Sequence, residues 1–228
     1  MEQEQKLTRA MEILDLKKEA DTLVPILEQI DKKLKENEEL LCLSAPQLGY
    51  NIRVFALKFA DEIRYFVNPL YVKRKNLIVN VESCSTLGEQ KYLIPRFKNI
   101  EFIYTKTNGM VEQLIFNDLA AFQFQQMYDF LEGLTLEDYG VPIDDDFFEL
   151  SKEEQDEIVS NYLKSCESLL QNLQEDINSD PTLREMQHTV DFMTSVAVGE
   201  TKLSEKKMNR EQRRLAQKQA RRKAKQFK

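Results

Sequence analysis

The 228 residues carry 32 Lys and Arg against 39 Asp and Glu, with six Gly and six Pro and a formal charge of −7. At roughly 150 residues per domain this is one domain with an appendage or two small ones. The scarcity of Gly and Pro excludes collagen-like, linker-rich and disordered classes. No apolar run approaches the roughly 18 residues of a membrane-spanning helix, and the opening MEQEQKLTRAMEILDLKKEAD lacks the apolar stretch and cleavage site of a secretory signal. A soluble, cytoplasmic protein without a membrane role is expected.

The charge is divided. Residues 205–228 hold 11 basic and 2 acidic side chains, a net of +9, so the preceding 204 residues carry −16. An acidic body repels phosphate backbones, whereas a basic tail seeks them or an acidic surface. Cys42, Cys84 and Cys166 are widely spaced and imply neither a disulfide framework nor a CxxC zinc pattern.

Residues 8–39 read as helical, with Leu16, Ala20, Leu23, Leu27 and Ile30 on one face and Pro25 as a kink or a division into two helices. Short β-rich runs follow: RVFALKF (53–59), IRYFVNP (63–69), NLIVNVES (76–83) and IEFIYTK (100–106). Asn108-Gly109, between IEFIYTK and MVEQLIF, predicts a two-residue hairpin turn. From Asn117-Asp118 the period is helical again, closing the β-rich centre with a helix over 118–132. Ser151-Lys-Glu-Glu154 is a capping-box signature. It opens a helix whose stripe is Ile158, Tyr162, Cys166, Leu169, Leu173 and Ile177. Asp180-Pro181 starts another helix, and Ser204 caps a basic one. The expectation is an α+β body with a C-terminal helical extension. Its parts are a domain over 1–140, helices over 141–203 and a basic helical or disordered tail over 204–228.

Three short stretches then resemble the motifs of the peptide deformylase family. Residues 42–49, CLSAPQLG, are similar to GLAAPQ(V/I)G, and Phe66-Val67-Asn68-Pro69 to (I/V)NP. Glu82-Ser83-Cys84-Ser85-Thr86 stands where EGCLS is found, and Ile94-Pro95-Arg96 follows like VPR. Gln125-Gln126-Met127-Tyr128-Asp129-Phe130-Leu131-Glu132-Gly133 takes the place of QHExDHLxG. The resemblance covers about residues 16–140 and implies antiparallel sheets around a central helix. In that family the motif-2 Cys and the two motif-3 His hold a catalytic divalent metal, and the Glu between them moves protons. Here Cys84 keeps the thiolate position, but Gln126 and Phe130 occupy the His positions and Met127 the Glu position. An amide, a phenyl ring and a thioether are poor company for a catalytic transition metal. Gln47 matches the family residue that helps polarise the formyl carbonyl.

These replacements lead to the expectation of no metal, no cofactor and no catalytic residues: a protein that is not an enzyme. Cys84, Met127 and Phe130 then read as core side chains. The only histidine, His188, lies far beyond the third motif and cannot stand in for two ligands. Asp144–Asp146 reads as a solvated loop without the ligand spacing of a calcium site. The leading functional expectation is a protein-binding assembly factor or chaperone, in a specific form a phage tail or baseplate morphogenesis factor in the host cytoplasm. The alternatives are a ribosome- or RNA-associated factor anchored by Arg210, Arg213, Arg214, Lys218, Arg221, Arg222 and Lys225, and an enzyme with a non-standard site at Gln47 and Cys84.

Overall fold

In the computed structural model, residues 9–13, 15–60, 62–84 and 88–179 are described. The chain divides into two compact units, Met1–Asp176 and Ile177–Lys228. The second unit lies almost wholly outside the described residues, and with it the helix expected after Pro181, His188 and the basic tail.

The first helix, α1 (Ala20–Glu36), buries Leu23, Ile26, Ile30 and Leu34, a three-and-four spacing that lays one face on the sheet. Pro25 lies inside this single helix and does not divide it. The helix is shorter than its apolar pattern suggests. Residues 10–13 are instead tied to other elements through their backbone. Ala10 N donates to Leu131 O at 2.7 Å, and Arg53 N donates to Met11 O at 2.8 Å. The Asn68 side chain brackets Ile13, accepting from its N–H at 3.0 Å and donating to its carbonyl at 2.7 Å. Buried Ala10 and Ile13 are therefore core residues of an extended segment, not of a helix.

Strands β1 (Cys42–Ser44), β2 (Val54–Lys58), β3 (Ile63–Ser83), β4 (Lys91–Thr105) and β5 (Val111–Asn117) form an antiparallel path in that order, and β6 (Val141–Ile143) pairs with β4 in the same six-stranded sheet. The two expected strands around Asn68 and Asn76 are one long β3. Register shifts at Val67/Leu70 and Tyr71/Lys73 bend it against β4. The β4–β5 connection also differs from expectation. Lys106 N donates to Met110 O at 2.8 Å and Gly109 N to Lys106 O at 2.8 Å, leaving a three-residue loop over 107–109. Gly109 takes φ +83° there, the left-handed position such a loop requires.

Helix α2 (Asp118–Leu131) closes the β-rich centre as expected and buries Ala121, Phe124, Met127, Phe130 and Leu131. Phe124 packs against Phe55, Phe66 and Phe102, at centroid distances of 5.1, 5.7 and 4.0 Å. Such aromatic pairs add about 0.5–1.5 kcal/mol each beyond area burial. Short helices α3 (Leu136–Tyr139) and α4 (Asp145–Glu149) flank β6, and α5 (Lys152–Ser179) follows. The expected capping box opens α5: Glu154 N donates to Ser151 Oγ at 3.3 Å and Ser151 N to Glu154 Oε2 at 2.9 Å. Val159 and Tyr162 pack with Leu93, Ile143 and Phe147, so the start of α5 lies on the body. Ile158, expected inward, is exposed, as are Leu169 and Leu170. Among the described residues no helix is long and apolar enough to cross a membrane.

Candidate functional site

A cleft of about 930 Å³ opens where β1, the end of β3 and α2 converge. Gln47, Cys84, Gln126 and Met127 all line it. Four of the five expected motif positions therefore meet in one place. The fifth, Phe130, is 2 % exposed and sits in the core behind them, and Met127 is 1 % exposed.

Gln47 and Gln126 are each held in the cleft by neighbouring groups. The carboxamide of Gln47, on the 3-10 turn Pro46–Leu48, accepts from Ser44 N and Ser44 Oγ at 2.9 Å each. Its amide group is thereby turned toward Cys84, with Nε2 3.7 Å from the sulfur. Gln126 donates to Ser83 O at 3.1 Å, and its Oε1 lies 4.0 Å from the Cys42 sulfur. Burial, with Cys84 and Glu82 adding to it, pushes the Cys42 thiol up to about 12, so Cys42 is neutral near pH 7.

The motif landmarks are also joined by charge. Arg96 makes a two-pronged bond to Glu82, at 2.8 Å on each side, and a third to Asp129 Oδ2 at 2.6 Å. Tyr139 accepts from the same guanidinium at 2.8 Å and donates to Asp129. Burial opposes the charge on Arg96, but Asp129 and Glu82 outweigh it and hold the guanidinium ionised. Burial, then Asp129, pushes the Tyr139 hydroxyl up. Glu82, Arg96 and Asp129, each from within one of these motif stretches, thus form one network that ties β3, β4 and α2 together.

The Polypeptide deformylase family model matches residues 3–145. The chain belongs to that family. A curated relative, the peptide deformylase of Karelsulcia muelleri (strain GWSS), is 30% identical over 97 residues, 40% of this chain and 51% of its own length. The chain thus spans about half of that relative. Among solved structures, the Thermotoga maritima peptide deformylase has a TM-score of 0.53 at 24% identity, covering 57% of this chain and 87% of that one. The Met-Ala-Ser-bound class I type b peptide deformylase of Acinetobacter baumannii has a TM-score of 0.53 at 16% identity, covering 59% and 92%.

The deformylase relatives correct one expectation. They are named as enzymes, which overturns the reading of this chain as a protein that is not an enzyme. The replaced side chains concern which ligands are present and are no positive evidence of inactivity. They do bear on the family's metal. Gln126 commits its amide to Ser83 O, Phe130 is buried in the core, and Met127 carries no carboxylate. Among the described residues no three His, Cys, Asp or Glu side chains come together to hold an ion. The donor set does not fit a Cys-and-two-His metal.

Several residues here escaped the sequence reading. Cys42 was legible as a departure, since it stands where the family motif has glycine. Gln125 has no role in the sequence reading, yet its side chain makes two bonds from α2 to Phe97 of β4. Asp144–Asp146 are exposed, as expected, but belong to the start of α4, with Asp144 at the N-cap position and Asp145 and Asp146 in the first turn.

Proposed function

We propose that this chain acts on the amino-terminal end of polypeptides, which it holds in extended form along β1. The observation that carries this reading is the orientation of Gln47 beside an open strand edge. Lys58 N donates to Leu41 O and Ala45 N to Val54 O, so residues 41, 43 and 45 bond to β2. By the alternation of an antiparallel ladder, the N–H and carbonyl of Cys42 and the carbonyl of Ser44 turn to the other side, the Ser44 N–H being bonded to Gln47. A peptide can add there as a further strand. The Gln47 carboxamide, fixed by Ser44, presents its amide group to an acyl oxygen at the peptide's end. Phe148, exposed at 44 %, lines the same cleft and offers apolar surface to a first side chain. The Acinetobacter baumannii relative, described with Met-Ala-Ser bound, supports a peptide of this class.

The test is calorimetric titration with formyl-Met-Ala-Ser, alongside an assay for the released amine. The peptide is expected to bind, with Gln47→Met weakening it by about tenfold, the loss of one hydrogen bond to an acyl oxygen. Binding indifferent to Gln47→Met, or none by the wild type, overturns the reading.

A second reading, a protein-binding assembly factor or chaperone, is favoured by α5, where Leu169 is 61 % and Leu170 is 45 % exposed. The ribosome or RNA partnership rests on the basic residues of 205–228, outside the described residues. It predicts salt-sensitive cosedimentation that is lost on deleting them.

A further inference from the structure

The cleft holds a second chemistry that needs no peptide. Cys42 projects from β1, Cys84 follows the end of β3, and both thiols line the same cavity. The Gln126 carboxamide spans them. Its Oε1 faces the Cys42 sulfur at 4.0 Å, while its Nε2 is bonded at 3.1 Å to the carbonyl of Ser83, the residue before Cys84. Gln47 Nε2 flanks the Cys84 sulfur at 3.7 Å. Two thiols and two carboxamides thus line one cleft, each group supplied by a different segment of the body.

The donor set selects an ion class. Glu39, Glu89, Asp144 and Asp145 also line the cleft, but among the described residues no third Cys, His, Asp or Glu gathers with the two thiols to hold an ion. Zinc asks for four ligands, and calcium or magnesium for six or more oxygens. Two thiolates without further anionic donors suit a soft d¹⁰ monovalent ion instead. We propose that Cys42 and Cys84 together bind a thiophilic monovalent cation of the copper(I) class, with the Gln126 and Gln47 carboxamides walling the site. On binding, each S–H bond breaks, its proton passes to solvent, and a sulfur–metal bond replaces it, so affinity rises with pH. Cys166, on α5, does not line the cavity and is a built-in control.

The test titrates copper(I) anaerobically into the full chain against a chromophoric chelator, without peptide. One equivalent is expected in the wild type and in Cys166→Ser, with affinity at least a hundredfold lower in Cys42→Ser and in Cys84→Ser. Equimolar zinc is expected not to displace it. Circular dichroism checks each variant's fold, and if Cys84→Ser does not fold, Cys42→Ser and Cys42→Ala decide. Wild-type affinity in the Cys42 variants, loss in Cys166→Ser, or no binding by the wild type overturns the proposal. Because the titration contains no peptide and the peptide assay no copper, either reading fails without the other.

Discussion

Gln125 and Phe97 are joined as two strand residues would be. The Gln125 side chain accepts from Phe97 N at 2.8 Å and donates to Phe97 O at 2.7 Å, with a further bond to Ala121 O at 2.9 Å. A carboxamide has the same donor and acceptor as a peptide unit, so a helix side chain here continues the ladder of β4. Gln125→Leu leaves the part-buried Phe97 N–H and carbonyl without this partner, at a cost of about 1 kcal/mol each. We expect the urea midpoint to fall accordingly, and Gln125→Glu, which keeps an acceptor but loses both donors, to recover only part of it.

The Arg96 network gives a sharper contrast. Arg96 is 3 % exposed and touches both Glu82 and Asp129. Arg96→Met strands two carboxylates and is expected to cost about 3–5 kcal/mol in denaturant unfolding. Replacing all three by apolar residues of similar volume is expected to recover most of that loss, because the desolvation cost leaves with the charges. A triple variant as unstable as the single one would show that packing, not charge, dominates.

Gly140 is required by space and not by backbone angle. A Cβ built there lies 2.5 Å from Leu136 O and 3.1 Å from Tyr92 Cβ, and also meets Ile94 Cδ1. Its φ of −83° is open to any residue. Gly140→Ala is therefore expected to destabilise by about 1–3 kcal/mol through overpacking, measured by thermal unfolding. A neutral result would mean that α3 moves away from β4 at no cost.

The fold is expected to weaken in alkali. Burial, aided by Cys84 and Glu82, raises Cys42 from 9.0 to about 12. Burial, aided by Asp31 and by Cys166, raises Tyr65 and Tyr162 from 10.0 to about 12. The unfolded chain releases these protons at pH 9–10 while the native state keeps them. Their contribution is thus fully present below about pH 9 and is lost as pH rises toward 12. Denaturant midpoints measured from pH 8 to 11 should fall, and Cys42→Ser should flatten the slope. A midpoint independent of pH across this range would sink the assignment.

Much of the site could be read in advance because its parts are short and local. CLSAPQLG, Glu82-Ser83-Cys84 and the run from Gln125 to Gly133 were legible as motifs, and the cleft brings Gln47, Cys84 and Gln126 together. The step from replaced ligands to the absence of an enzyme did not survive, because a list of missing donors says nothing of what else a cleft can do. Cys42 was passed over for a related reason. Cys84, which lines the same cleft, follows the end of β3, and nothing near Cys42 in the chain announces that the two share it.

The amino-acid sequence alone determined what depends on neighbours a few positions away. The face of α1, the box of Ser151 and Glu154 and the closing helix α2 each follow from spacing within one segment. Tertiary structure decided which backbone groups bond across the molecule. Residues 10–13 have helical apolar spacing, yet Asn51, Arg53, Asn68 and Leu131 bond to their backbone and hold them extended. The reason is physical: apolar periodicity records which side chains leave water, and an extended segment laid on a sheet can bury the same residues as a helix. Only the partners of the N–H and carbonyl groups distinguish the two, and those partners lie far along the chain.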